Sequence, residues 1–361
     1  MHTALIVGTG LIGTSVALAL RAEGVDTYLA DLDGRALRSA AAHSGGKTEP
    51  PAGEVDVAVI AVPPDRVGGV LSALQKNGAA HAYTDVSSVK SRPIADALAQ
   101  GCDLATFVGG HPMSGREKSG PLAAHADLFR GRPWVLTPTE DTEPAVLNQA
   151  LELVALCGAT PVVADAGEHD RAVALVSHAP HLLASLLAAQ MSGADDFTLR
   201  LCGQGLRDQT RIAAGDPDLW AGILAANAGA VADVLERVGL EAGAAAAALR
   251  TAAVDAAEGP AQDGMDALRS LLHRGVQGQS RIPRHASANR ATATMSVTVS
   301  DRPGELGRLF SDVAAAGVSI VDVTMDHPLE GPVATAELVV DAEVSRRLAA
   351  DLAGRGWTLR W

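Results

Sequence analysis

Aromatic side chains are scarce in this 361-residue chain: Phe, Trp and Tyr together make up 3%, against 47% apolar residues overall. The apolar mass is therefore Ala, Val and Leu, which suits helices and buried parallel strands and argues against an all-β sandwich. Cysteine is nearly absent. Cys102, Cys157 and Cys202 are odd in number, widely spaced and without a CxxC, which excludes a disulfide framework and a cysteine-based zinc site and fits a reducing compartment. Basic residues are outnumbered, 29 Lys and Arg against 42 Asp and Glu, for a net charge of −13. Such a balance argues against nucleic acid or an anionic membrane as partner. No run of about 18 uninterrupted apolar residues occurs, so no membrane span is expected. Residue 4 already lies in an apolar strand pattern, which leaves no room for a cationic leader and its cleavage site. These absences point to a cytoplasmic protein of two or three domains.

What is present falls into three stretches. Residues 1–165 alternate strand and helix patterns, with strands predicted at Ala4–Val7, Thr27–Asp31, Val55–Val62, Ala82–Val86, Ala105–Val108 and Trp134–Thr137. Near-continuous apolar strands alternating with helices imply a Rossmann-type, parallel, doubly wound α/β sheet. In residues 166–276 the strand signals stop. Glu168–Met191, Leu199–Ala214, Leu219–Val238, an Ala-rich stretch at 240–257 and Met265–Arg274 read as helices, broken at Gly215-Asp216-Pro217. A helical layer so rich in Ala and Leu buries itself poorly alone, which predicts a homodimer formed through it. Residues 277–291 are rich in Gly, Ser and Arg without periodicity and read as a solvated linker. In residues 292–361, Met295, Val297 and Val299 alternate with polar residues, and Leu306, Leu309, Phe310 and Val313 fall on one helical stripe. The full order there is βαββαβ, a ferredoxin-like α+β domain.

Gly8-Thr9-Gly10-Leu11-Ile12-Gly13 is a GxGxxG that follows a predicted strand and opens a helix, with Asp31 at the end of the next strand. Glycines let the backbone approach a pyrophosphate, and the helix N-terminus offers it N–H groups and a positive dipole. Asp31 can accept from the adenosine ribose hydroxyls and repels a 2′-phosphate, which selects NAD as cofactor. Val62 and Pro63, where the Val55–Val62 strand stops, are placed in the same cofactor surface.

A dinucleotide fold names a cofactor and leaves the substrate open. Substrate groups belong at the carboxyl ends of the strands, where Ser88 follows one predicted strand and His111 another. A histidine there is a natural base for a hydroxyl proton while hydride leaves the same carbon; Ser88 orients either the imidazole or the hydroxyl. In the helical region Ser177 and His181 share a helical face, from which His178 points away. No carboxylate or third ligand accompanies these histidines, and no metal is expected. Arg207 and Arg211 lie one turn apart. One suits a bidentate carboxylate anchor and the other a surface ion pair.

The segments GTGLIGTS, DVSSVK, GGHPMSGREKSG, EHDRAVALVSHAPH, LRDQTRIAAGDPDLW and RIP, in that order from residue 1 to about 285, resemble the prephenate/arogenate dehydrogenase family of tyrosine biosynthesis. The resemblance implies NAD-dependent oxidative decarboxylation of prephenate to 4-hydroxyphenylpyruvate. It also implies a catalytic role for His111 with Ser88 beside it, a carboxylate anchor in Arg211, and further substrate contacts from His181 and Trp220. Ser177 is grouped with these substrate-binding candidates. Arg116 and Glu117, adjacent and opposite in charge, are candidates for choosing between prephenate and arogenate, whose side chain carries an ammonium in place of a ketone. The arginine favours prephenate and the glutamate arogenate; prephenate is the expected substrate. The tail segment VTVSDRPGEL resembles the start of an ACT domain. That implies an effector site at Asp301, Pro303, Gly304 and Leu306, with tyrosine as the effector, or a module serving assembly alone. A non-catalytic NAD-sensing regulator is the remaining alternative. A β-hydroxyacid-type dehydrogenase is disfavoured because Glu168–Val238 contains no lysine.

Overall fold

Short runs of Val, Ile, Ala and Leu build the first sheet. Strands β1 (Thr3–Val7), β2 (Asp26–Ala30), β3 (Val55–Ile60), β4 (Ala80–Asp85), β5 (Phe107–Pro112), β6 (Pro133–Thr137) and β7 (Thr160–Val163) lie in the order β2-β1-β3-β4-β5-β6-β7. Helices α1 (Leu11–Ala22), α2 (Gly34–Ser44), α3 (Val67–Lys76), α4 (Ser91–Ala99) and α5 (Pro144–Leu156) connect them. Successive strand residues point to opposite faces. Ala4 and Ile6 accordingly join Val16, Leu20 and Leu153 in one core, while Leu5 joins Val67, Leu71 and Phe107 in the other. The computed structural model describes residues 1–115, 120–255, 262–282, 292–326 and 333–360. By internal contacts the chain divides into two units, Met1–Ile282 and Pro283–Trp361.

The sheet departs from the all-parallel expectation at one place. Strands β1 to β5 run parallel, but β6 is antiparallel to β5, and β7 is parallel to β6. Parallel neighbours need a crossover, usually a helix. Between β5 and β6 the described residues offer only a single turn at Pro121–Ala123, so the chain comes back beside itself. Strand β5 also extends beyond its predicted end at Val108. His111 thus sits inside the strand, opposite Val135, rather than in a loop after it. Strand β7, an exposed edge containing Pro161, is absent from the sequence-based reading.

The helical region comprises α6 (Ala166–Val173), α7 (Ala179–Ala189), α8 (Asp196–Arg200), α9 (Gln204–Thr210), α10 (Pro217–Ala226), α11 (Ala228–Asp255) and α12 (Gln262–Ser280). A π-helical turn, Ala174–His178, joins α6 to α7. The continuous helix Ala166–Gly193 is long and apolar enough by composition to cross a membrane. It carries His169, Asp170, His178 and His181 buried against protein, while 33% of its most apolar stretch is buried. The expected Leu219–Val238 helix breaks instead at Asn227, with a 96° bend, while α11 passes through Gly239 uninterrupted. Helix α12 continues to Ser280, into the segment read as linker.

The second unit has strands β8 (Thr292–Ser300), β9 (Ile320–Asp326), β10 (Val333–Asp341) and β11 (Thr358–Arg360), with α13 (Glu305–Ala315) and α14 (Ala342–Gly354). Its antiparallel sheet has the order β11-β8-β10-β9. Met295, Val297 and Val299 face Leu309, Val313, Leu348 and Leu352 in its core.

Two glycines of the first turn are sterically required. Gly8 has φ +100°, and a Cβ there would lie 2.2 Å from the Ala61 carbonyl oxygen; one on Gly13 would lie 2.0 Å from that of Gly8. A Cβ on Gly10 meets nothing within 4 Å. In urea unfolding, Gly8→Ala and Gly13→Ala are expected to cost more than about 2 kcal/mol each, and Gly10→Ala less than about 1 kcal/mol.

Candidate active site

A cavity of about 650 Å³ opens at the carboxyl ends of β1, β3, β4 and β5. Gly10, Leu11, Ile12 and Gly13 form one wall, Val62 and Pro63 border it, and Ser88 and His111 face it across the sheet. Helix α1 has no side-chain cap at Gly10, so its first N–H groups and its dipole are directed at the cavity. With open space over Gly10, the turn has the form a dinucleotide pyrophosphate needs. Gly8 and Thr9 lie beneath this wall. The Gly8 N–H donates to the Ala30 carbonyl at 2.8 Å, tying the turn to β2. Asp31 takes part in the same tie. Its Oδ2 accepts from the Thr9 N–H at 2.6 Å and the Thr9 hydroxyl at 2.7 Å, and its Oδ1 from the Asp33 N–H at 2.8 Å. Burial alone raises this carboxyl's pKa, yet the donors on Thr9 and Asp33 hold it below the ordinary value. A carboxylate has about four acceptor positions, so Asp31 keeps capacity for one more donor.

His111 does not stand alone. Its Nδ1 lies 2.8 Å from His169 Nε2, with the two rings edge to face at 75°. His169 Nδ1 in turn lies 2.9 Å from Asp170 Oδ1. The Asp170 carboxylate also accepts the backbone N–H groups of Lys90 and Ser91, each at 2.8 Å. Burial, then the Lys90 ammonium and the neighbouring histidines, hold His111 well below the usual imidazole pKa, against an opposing pull from Asp170. His111 is therefore neutral at pH 7 and able to take a proton.

Under this chain lies an ion pair with no solvent exposure. Lys90 Nζ donates to both Asp85 oxygens, at 2.7 and 2.6 Å, and to the Gly110 carbonyl. Asp85 also accepts from the Gly110 N–H at 2.9 Å, the Ser87 N–H at 3.1 Å and the Ser87 hydroxyl. Burial lowers the Lys90 pKa, and the Asp85 carboxylate opposes that shift.

The helical region closes the cavity with Ser177, His178, Leu219, Trp220 and Ile223. The π turn widens the helix here and re-aims its residues. Ser177 and His178 both face the cavity, correcting the expectation that His178 points away. His181 is buried and stacked on Trp220, centroids 3.5 Å apart at 11°; it backs the wall that Trp220 forms and is not among the lining residues. Arg211 is exposed in the turn that follows α9 and is likewise outside the lining. Arg116 and Glu117 fall outside the described residues. In the second unit, considered by itself, Asp301, Pro303 and Gly304 form the turn between β8 and α13. Gly304 there has φ +92°, and Leu306 packs toward the core.

Five residues of this arrangement carry no assignment from the sequence: His169, Asp170, Asn227, Asp85 and Lys90. A signal existed for some. His-Asp stands among the apolar residues of EHDRAVAL, and an ionisable residue sits at either end of DVSSVK.

Two family models match the chain: "Prephenate dehydrogenase, nucleotide-binding domain" over residues 16–163 and "Prephenate dehydrogenase, dimerization domain" over residues 165–259. The chain is 43% identical over 360 residues to the probable prephenate dehydrogenase NovF of Streptomyces niveus, covering 99% of each. It is 32% identical over 243 residues to the prephenate dehydrogenase of Bacillus subtilis (strain 168), covering 64% of this chain and 66% of that one. Among solved structures, the prephenate dehydrogenase from A. aeolicus in complex with hydroxyphenyl propionate and NAD+ matches with a TM-score of 0.62 and 27% identity, over 77% of this chain and 98% of that one.

Removing one member of a buried ion pair leaves the other charge without compensation. Lys90→Met is expected to lower the unfolding free energy by about 3–5 kcal/mol. Urea denaturation monitored by circular dichroism checks this, and a loss under about 1 kcal/mol contradicts a structural role for the pair.

Proposed function

The chain belongs to the prephenate dehydrogenase family, and on that premise we propose that it oxidatively decarboxylates prephenate to 4-hydroxyphenylpyruvate. One observation carries the reading. His111, neutral and backed by His169, faces the same cavity as the glycine turn and Ser88. When bound along that turn, NAD supplies the hydride acceptor. Gly10 and the α1 N-terminus hold its pyrophosphate, with Gly8, Thr9 and Gly13 shaping the turn and Leu11 and Ile12 adding N–H groups. Asp31 takes a ribose hydroxyl and disfavours a 2′-phosphate. Val62 and Pro63 border the nicotinamide side.

His111 accepts the proton of the ring hydroxyl as hydride leaves the same carbon, and Ser88 orients that hydroxyl. Carbon dioxide departs from the opposite ring position, and the proton held by His111 returns to the resulting phenolate oxygen. The exchange balances with no net proton released. Aromatisation supplies driving force, so the protein's task is to position, deprotonate and exclude water. Ser177 and Trp220 bound the substrate space, His181 supports Trp220, and Arg211 is assigned a substrate carboxylate. Arg116 and Glu117 are assigned the choice of side chain. Arogenate is the second reading, resting on Glu117 beside Arg116 in the sequence.

The second unit is proposed as an ACT-like, ferredoxin-like module that binds tyrosine around Asp301, Pro303, Gly304 and Leu306. The element order β8-α13-β9-β10-α14-β11 supports that reading. A cytoplasmic homodimer through the helical region is proposed as well. Its support is the apolar surface that Leu175, Leu186, Phe197, Leu199 and Leu201 leave exposed on a single chain.

His111→Asn is expected to keep NAD affinity and lose at least about a hundredfold in kcat; near-normal turnover rejects the base assignment. Purified full-length protein with NAD is expected to form NADH with a higher kcat/KM on prephenate than on arogenate. The reverse order assigns it to arogenate. Added tyrosine is expected to slow the reaction, and an unchanged rate leaves the second unit a role in assembly only.

A further inference from the structure

Two hydrogen-bond paths meet at Asp170, and each dictates where a histidine proton sits. An ionised carboxylate only accepts. Facing Asp170 Oδ1 at 2.9 Å, His169 Nδ1 therefore carries the hydrogen, and in the singly protonated ring Nε2 presents a lone pair. His111 Nδ1, 2.8 Å from that lone pair, must then donate, which leaves His111 Nε2 unprotonated.

The second path starts at the Asp170 backbone carbonyl, which accepts from Asn227 Nδ2 at 2.8 Å. A carbonyl cannot donate, so this contact settles which end of the Asn227 amide is nitrogen. The same Nδ2 lies 3.1 Å from His178 Nδ1, which must accept. The hydrogen of neutral His178 is thus on Nε2. Burial supports the neutral form by pushing the His178 pKa down to about 4. Both His111 and His178 border the cavity, while His169, Asp170 and Asn227 are buried behind them.

We propose that Asp170, acting through His169 on one side and Asn227 on the other, sets opposite tautomers on two cavity histidines, the three being positioning residues. His111 offers a bare Nε2 as proton acceptor, and His178 offers Nε2–H as donor to a substrate oxygen. The proposal rests on the dehydrogenase reading of the cavity and deepens it. When the substrate O–H bond breaks, its proton binds His111 Nε2 while the Nδ1–H stays in place. The imidazolium so formed is stabilised by His169 and the Asp170 carboxylate, which itself takes no proton. Asn227 serves His178 in the same way, and its position is made by the break between α10 and α11.

The tautomers can be read without turnover. In the full-length protein with NAD, labelled with ¹⁵N-histidine, long-range ¹H–¹⁵N spectra are expected to show His111 protonated at Nδ1 and His178 at Nε2. Assignment comes from loss of the signals in His111→Asn and His178→Gln. His111 found protonated at Nε2 overturns the proposal. In kinetics, His169→Leu removes the acceptor and is expected to lower kcat at least about a hundredfold with KM for NAD unchanged. His169→Gln, which keeps an acceptor, is expected to recover at least about tenfold of that loss. Equal turnover in the Leu variant and the wild type also overturns it. Absence of NADH from wild-type protein with either substrate sinks the reaction reading alone, since the spectra still report the tautomers.

Discussion

The buried Asp85–Lys90 pair is the constraint around which the first unit is arranged. Removing two charges from water is costly, and a pair of this kind contributes little net stability compared with apolar residues of the same volume. Its effect lies in geometry. Asp85 ends β4, Lys90 precedes α4, and both hold the two backbone polar groups of Gly110 on β5. His111 is the next residue, so its place on the sheet follows from that hold. The backbone N–H of Lys90 then reaches Asp170 on α6, which joins the sheet to the first helix of the helical region.

From that junction the cavity is assembled by departures from regular structure. A π turn brings Ser177 and His178 to the same surface. The break at Asn227 bends the chain sharply and delivers an amide between Asp170 and His178. An antiparallel return at β6 places Val135 beside His111. His178 and Asn227, brought together by two of these departures, are buried and paired with each other, as low-dielectric surroundings demand.

Much of the scaffold was legible in the sequence because it rests on local rules. Apolar runs bounded by Gly and Pro mark β1, β3 and β4, and alternation marks β8. The glycine spacing of the first turn states its own steric need, and Gly8 and Gly13 meet it through contacts with Ala61 and with each other. Other features were not legible. The alternating pattern implies one more parallel step from β5 to β6, since nothing in either strand specifies direction, yet the two pair antiparallel. Helix α12 hides its length behind Gly275 and Gly278, residues that weaken a helical pattern without forbidding it.

The histidines divide along the same line. His111 stands out at the end of a strand, and its placement needs only the rule that ligands collect at carboxyl ends of a doubly wound sheet. Its partnership with His169 spans 58 positions of sequence and has no local signature. Ordinary helical spacing turns His178 away from the cavity, but the segment winds as a π turn and brings it round. His181, grouped by the same spacing with the cavity residues, instead stacks behind Trp220. By itself the sequence determined the period of each element, the glycine turn and the types of ionisable residue available. Only the tertiary structure decided which of them meet, because hydrogen bonds between distant buried groups depend on packing that no local pattern encodes.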